Sequence, residues 1–321
     1  MNIVVISHAA DLDGISSAAI IMRKYGVHSG NVVFVDYDRQ SMLRGEKLFQ
    51  KLFKKGSTLF IADLGAESST DIFTRIVKYA KRKNGHVLWF DHHVWSKANV
   101  KNIAGMCDAA VVGENKCFCA SEITARELGM NDKYITSLLK IVHAADFALK
   151  PKNSNMKRVI KSYALGLSYF RMKGNSVFLE NIVRIAESIS LGKPLPEFLY
   201  NASSKFDNMN KQRLKKMITT VVKGGVISVG FTPVVSTNDA CALIIKKTGS
   251  DIGCYVNTDS GKVHLRSIKA DCSLLAKHFG GGGHPHASGY DLKRGKYNLK
   301  KPADRMKVVL EIIAAAKELY G

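Results

Sequence analysis

Val87-Leu88-Trp89-Phe90-Asp91-His92-His93 decides how this chain is read. Four apolar residues in a row describe a strand buried on both faces, as in a parallel sheet. The strand stops at a carboxylate followed by two imidazoles. Open α/β sheets bind ligands outside the carboxyl ends of their strands. Two earlier segments end the same way. Asn2-Ile3-Val4-Val5-Ile6-Ser7 runs into His8, Asp11 and Asp13, and Thr58-Leu59-Phe60-Ile61-Ala62 runs into Asp63. Acidic and imidazole groups delivered to one end of a sheet point to a metal-centred site, because buried like charges coexist only with cations between them. A single helix-capping aspartate would explain one carboxylate, not two beside a histidine.

Outward from these strands the pattern is α/β. Asn31–Tyr37 reads as a further strand, and a basic amphipathic helix follows over residues 41–54. Helices are expected over 69–83, 120–128, 134–142, 153–173 and 177–191, the helix over 134–142 leading into His143 and Asp146. His143 reads as a supporting or packing residue. Gly192-Lys193-Pro194-Leu195-Pro196 is the clearest breaker. The organisation expected is a first domain over 1–191, a helical linker over 192–223 and a second domain over 224–321. The first is a doubly wound, mainly parallel sheet domain. The second is a smaller α/β domain with a mixed sheet, in which Val226–Gly230, Ala242–Ile245, Cys254–Val256 and Lys262–Ser267 read as strands. It also holds Gly280, Gly281, Gly282 and Gly283 followed by His284. Consecutive glycines let backbone N–H groups close on an anion, and Arg266 suits a phosphate as a bidentate partner.

These motifs, in this order, resemble the DHH phosphoesterase family. The resemblance rests on Asp91-His92-His93, with His8, Asp11 and Asp13 before it, Asp63 between and Asp146 after; Gly280–His284 resembles the glycine-rich motif of that family's associated C-terminal domain. It implies two divalent cations, Mn²⁺ first, with Mg²⁺ or Co²⁺ as substitutes, which suits oxygen ligands supplemented by imidazoles. It places one ion on His8, Asp11 and Asp63. The other falls to Asp13, Asp63, His92, Asp146 and either Asp91 or its neighbour; Asp91 alternatively orients a histidine. His93 is the residue expected at the scissile phosphate. Arg266, Gly280, Gly281, Gly282, Gly283 and His284 are expected to bind the far end of the substrate. Many family members space the first His and the two Asp one residue wider, which leaves open the choice between His8 and Asp11 in the first ligand set.

The activity implied is hydrolysis of single-stranded or short oligonucleotides to mononucleotides, as in RecJ-like exonucleases and oligoribonucleases. The alternatives are a small-nucleotide phosphoesterase acting on a cyclic dinucleotide or 3′-phosphoadenosine phosphate, and a non-catalytic nucleic-acid-binding accessory protein. Lys and Arg number 48 against 27 Asp and Glu, a net charge of +21 over 321 residues. That balance favours single-stranded RNA or DNA as partner, although a solvated basic surface produces the same count. A homodimer or association with nucleic-acid-processing proteins is left open. The six cysteines form no C-x-x-C pair and read as buried, reduced thiols. No run is long enough to span a membrane, and the expected location is the cytoplasm.

Overall fold

The computed structural model describes residues 2–113, 117–293 and 295–321. It divides into two compact units, residues 1–204 and 205–321.

The first unit begins with β1 (Ile3–His8), α1 (Leu12–Tyr25), β2 (Val32–Val35), α2 (Arg39–Leu52) and β3 (Thr58–Ala62). It continues through α3 (Thr70–Arg82), β4 (His86–Asp91), α4 (Lys97–Asn102) and β5 (Ala109–Val112). Four helices follow: α5 (Ala120–Glu127), α6 (Lys133–Asp146), α7 (Ser154–Lys173) and α8 (Asn175–Ser190). The five strands pair in the order β2-β1-β3-β4-β5, all parallel. This is a doubly wound sheet whose order reverses between β1 and β3.

Alternation along the strands explains why both faces are covered. Ile3, Val5, Phe60 and Phe90 pack against α1, α5, α6, α7 and α8. Val4, Ile6, Leu59, Ile61 and Trp89 pack against α2 and α3. Successive side chains of a strand point to opposite faces, so an unbroken apolar run needs helices on both. Fully burying each such side chain contributes ~1.5–3 kcal/mol. β5 is a strand that the sequence pattern did not reveal, because it is short and only Val112 of its four residues is buried.

Helix α9 (Glu197–Ile218) runs through the division between the units. The second unit contains β6 (Val222–Gly224), β7 (Ile227–Thr232), α10 (Thr237–Thr248), β8 (Ile252–Asn257) and β9 (Lys262–Ser267). It ends with α11 (Cys272–His278), β10 (Gly282–His284), β11 (Ala287–Asp291) and α12 (Pro302–Tyr320). The sheet order is β10-β11-β9-β8-β7-β6. Only β7 and β8 are parallel, so the sheet is mixed.

Two expectations need correction here. Ala242–Ile245 is not a strand but part of α10. Four apolar residues fit either element. The caps decide it: Ser236 accepts from the Asp239 N–H, and Gly249 closes the helix in the left-handed conformation. The cysteines are also not uniformly buried. Cys119, Cys241, Cys254 and Cys272 are buried, Cys107 is half-buried and Cys117 is exposed. Among the described residues no helix is long and apolar enough to cross a membrane.

Candidate metal centre

Every residue of the centre sits at or just beyond the carboxyl end of a strand, or on a helix packed over that end. His8 closes β1, Asp63 follows β3 and Asp91 closes β4. Asp11 and Asp13 start α1, and Asp146 ends α6. The location is the β1/β3 reversal of strand order.

Helix α1 can enter so close to β1 only because residue 14 is glycine. A Cβ there would lie 2.3 Å from the His8 carbonyl oxygen and 2.7 Å from its Cβ. Asp11 caps α1 by accepting from the Gly14 N–H at 3.1 Å. Asp13 caps a second helix: its Oδ2 accepts from the Ala120 N–H at 2.7 Å and its Oδ1 from the Ser121 N–H at 2.8 Å. Both aspartates therefore have a structural use. The capping argument reaches further than the sequence suggested, and the case for a cation rests on their neighbours.

His8 and Asp63 are those neighbours. His8 is 6% exposed and Asp63 2%. Among the described residues, neither ring nitrogen of His8 has a hydrogen-bond partner, nor does Oδ2 of Asp63. Carboxylates crowd the ring without aligning to it. Asp11 Oδ2 lies 3.1 Å and Asp63 Oδ2 3.4 Å from Nδ1, and Asp36 Oδ1 lies 3.6 Å from Nε2. Burial opposes charge on this imidazole, but the surrounding carboxylates outweigh it and lift its pKa to about 12. Asp63 also adopts φ +54°, a left-handed conformation that aspartate tolerates better than most residues. Strain of this kind gathers at functional sites.

The second half of the centre is His92. Its Nε2 lies 3.5 Å from Asp63 Oδ1 and 4.0 Å from Asp13 Oδ2, and its Nδ1 lies 3.7 Å from Asp146 Oδ2. Burial lowers its pKa, yet Asp63, Asp13 and Asp146 raise it to about 9. Asp13 is pushed well up, first by burial and then by the charges of Asp63 and Asp11. Asp146 is raised by burial and by Asp63. Such mutual repulsion among crowded acids is what a bound cation relieves. Ligand atoms of His8, Asp11 and Asp63 fall within 4.8 Å of one another, as do those of Asp13, His92 and Asp146. Unpartnered buried donors and an oxygen-rich set with imidazoles together fit divalent cations.

Asp91 behaves differently. It is wholly buried. Its Oδ1 accepts from His93 Nδ1 at 2.7 Å, and its Oδ2 accepts from the His93 N–H at 3.2 Å and from Trp95 Nε1 at 2.8 Å. A carboxylate can only accept, so His93 carries its proton on Nδ1. Asp91 thus fixes the tautomer and orientation of His93, whose Nε2 stands 3.4 Å from the Tyr37 hydroxyl. His143 is satisfied locally: its Nδ1 donates to Glu122 Oε2 at 2.9 Å.

Sequence reasoning missed Asp36, Tyr37, Trp95 and Arg171. Asp36 ends the apolar run Val32–Val35, so the rule that found Asp63 applies to it equally. Arg171 of α7 holds Asp36 Oδ2 at 2.8 Å; its partner is 135 residues away in sequence, and no local pattern announces it.

In the second unit the four glycines are not an open loop. Gly280 (φ +78°) ends α11, and Gly282–His284 form the edge strand β10. A Cβ on Gly281 would lie 2.2 Å from the Gly289 carbonyl oxygen, and one on Gly283 2.6 Å from that of Ala287. Close strand approach therefore accounts for two of the glycines. His284 and Arg266 both stand opposite Ala287. Residues directly opposite share a face, so the two basic side chains flank a small residue on one side of the sheet. Arg266 is held by Asn238 Oδ1 and the Leu265 carbonyl, both at 2.9 Å.

Comparison with known proteins agrees with this geometry. The sequence profile described as the DHH family, N-terminal domain, matches residues 2–145. No curated protein matches the chain. Among solved structures, exonuclease RecJ bound to manganese is similar, with 14% identity, TM-score 0.57, and coverage of 97% of this chain and 89% of that one. The pGpG-specific phosphodiesterase PggH from Vibrio cholerae has 14% identity and TM-score 0.54, covering 97% and 99% of the two chains. An exopolyphosphatase-related protein from Bacteroides fragilis has 14% identity and TM-score 0.53, covering 99% and 92%. At these identities the likeness is one of fold.

Proposed function

Residues 2–145 belong to the DHH family, whose members are metal-dependent phosphoesterases, and from that premise we propose that this chain hydrolyses single-stranded or short oligonucleotides to mononucleotides. One observation carries the reading: His8 Nδ1 and Nε2 and Asp63 Oδ2 are buried among carboxylates with no hydrogen-bond partner among the described residues. His8, Asp11 and Asp63 would hold one divalent cation, and Asp13, His92 and Asp146 the other, with Asp63 between them. Mn²⁺ is the expected ion, with Mg²⁺ or Co²⁺ as substitutes. When bound, two such ions supply the Lewis acidity that activates water and offset charge on the phosphoryl oxygens. The chain's own part is orientation. Asp91 holds the His93 ring through Nδ1, and Trp95 holds Asp91. Burial opposes charge on His93, but Asp91 and Asp63 raise its pKa. With both ring nitrogens protonated, Nε2 would donate to a phosphoryl oxygen. Arg266, His284 and the Gly280–Gly283 backbone would receive a more distant phosphate.

The net charge of +21 supports a polyanionic substrate. So does the likeness to proteins named as an exonuclease and as a pGpG-specific phosphodiesterase. The second of these also favours an alternative, a small-nucleotide phosphoesterase. Salt separates the two. Raising salt from about 50 to about 200 mM should cut kcat/KM on a long single strand at least ~10-fold if several phosphates are contacted, and far less on a dinucleotide.

The main test is a panel with Mn²⁺: RNA and DNA single strands of several lengths, cyclic dinucleotides and a 3′,5′-bisphosphate. Asp91→Ala and His92→Ala are expected to lose turnover while keeping the wild-type circular dichroism. Full activity in His92→Ala overturns the assignment. Trp95→Phe removes the donor to Asp91 together with part of a buried ring packed edge-on against Trp89, and supporting partners of this kind are worth roughly 10–100-fold. Its loss should appear in kcat and leave KM near the wild-type value.

Chelation with EDTA should abolish turnover and Mn²⁺ should restore it. A ligand at about 100 times its Kd adds ~2.7 kcal/mol. For a unit of this size that raises the unfolding temperature by roughly 5–10 °C. Scanning calorimetry with and without Mn²⁺ reads it directly.

A further inference from the structure

A chamber of about 400 Å³ opens beside the carboxylates of the first unit. One wall is a stripe of α7 consisting of Ile160, Tyr163, Ala164, Leu167, Ser168 and Arg171. Steps of three and four residues put these on one helical face. The facing wall includes Asp11, Asp13 and Asp146. The chamber is therefore continuous with the groups assigned to the cations.

The chemistry of the α7 wall says what it does not take. Among the described residues Arg171 is the only cationic side chain lining the chamber. It is already bound to Asp36 and lies 4.4 Å from the Phe178 ring centroid. A further phosphate would thus meet carboxylates and hydrocarbon. The Tyr163 hydroxyl donates to the Pro194 carbonyl at 2.7 Å, and Ser168 Oγ donates to the Ala164 carbonyl at 2.7 Å. Little is left to read the edge of a base. What the wall offers is apolar: Ala164 is exposed and Ile160 half-buried, while the Tyr163 ring and Leu167 that also line it are buried. The volume lies at the lower end of ligand cavities, which suits one nucleoside rather than a stack of several.

We propose that this chamber receives the nucleoside attached to the scissile phosphate, with its base against α7, and that it accepts any base. The proposal rests on the phosphoesterase reading above. It makes α7 the element that selects nucleotidyl esters over inorganic phosphate chains, which have no apolar group to place there.

Filling the chamber tests it. Ala164 is exposed on α7, and Ser168 bonds only its own helix, so Ala164→Trp and Ser168→Phe should both fold. The measurements are kcat and KM on the dinucleotide pApA and on methyl p-nitrophenyl phosphate, a diester without a base. The ratio of kcat/KM for pApA over the small ester should fall about tenfold or more in each variant, through KM. A ratio equal to the wild type's in both variants overturns the proposal and leaves the phosphoesterase reading standing. Saturation-transfer NMR with AMP and Mg²⁺ gives a readout independent of turnover. Base protons H2 and H8 should receive saturation from the wild type and lose it in Ala164→Trp. If the wild type hydrolyses neither ester, the phosphoesterase reading fails. The AMP signal then decides the chamber alone: absence of transfer in the wild type refutes it.

Discussion

Asp63→Asn is expected to lower kcat/KM at least about a thousandfold, a loss of ~4 kcal/mol in transition-state stabilisation, while the protein stays folded. Among the described residues Asp63 is the one carboxylate placed against both His8 and His92, at 3.4 Å and 3.5 Å. Asparagine keeps its shape and tolerates φ +54°, but its neutral amide would not offset cationic charge as the carboxylate would. The rise in unfolding temperature on adding Mn²⁺ should shrink accordingly. Asp63→Ala separates the electrostatic from the conformational part. It removes the same charge but places a residue with poor left-handed tolerance at that φ, costing a further 1–2 kcal/mol or so. Urea unfolding in EDTA should therefore rank Asn above Ala. Equal midpoints would show that the backbone conformation at residue 63 stores no energy, and undiminished activity in Asp63→Asn would remove the residue from the centre.

Gly14→Ala is expected to be the most damaging single-methyl change in the first unit. The added Cβ would meet the His8 carbonyl oxygen at 2.3 Å and His8 Cβ at 2.7 Å. These are atoms of a buried strand rather than the tip of a flexible side chain, so either α1 or β1 must shift. Overpacking a rigid site costs ~1–3 kcal/mol, occasionally more, and backbone contact puts this position at the top of that range. The shift also moves His8, and the Gly14 carbonyl that accepts from Ser7 Oγ at 2.7 Å. Urea denaturation and an Mn²⁺ titration should both report it. A wild-type urea midpoint would mean that α1 has slack here that the packing does not reveal.

Much of this is legible in the sequence. The strands carrying His8, Asp63 and Asp91 are uninterrupted apolar runs that stop at an ionisable residue, and a parallel sheet gathers such ends on one edge. The doubly wound first unit and the mixed sheet of the second follow from the same pattern. Other features were hidden for identifiable reasons. β5 is too short and too exposed to show as an apolar run. Ala242–Ile245 has the right residues for a strand, but caps outside it make a helix. Asp36 met the same criterion as Asp63, yet its meaning depends on His8 and on Arg171 from α7. The glycines at 280–283 suggested a loop around an anion, whereas two of them are required by the packing of β10 on β11. The chamber along α7 has no sequence motif at all; it exists because a helix face lies across from Asp11, Asp13 and Asp146.

The double use of Asp13 has a last consequence. Its carboxylate accepts from two backbone N–H groups at the start of α5, more than a hundred residues further along the chain. Until the segment carrying Ala120 and Ser121 has docked, this acid has neither its final position nor its anchors. The nascent chain thus cannot present a finished hydrolytic centre from its first strands alone, and a lesion in the opening turn of α5 should be felt as weakened metal retention, transmitted through Asp13.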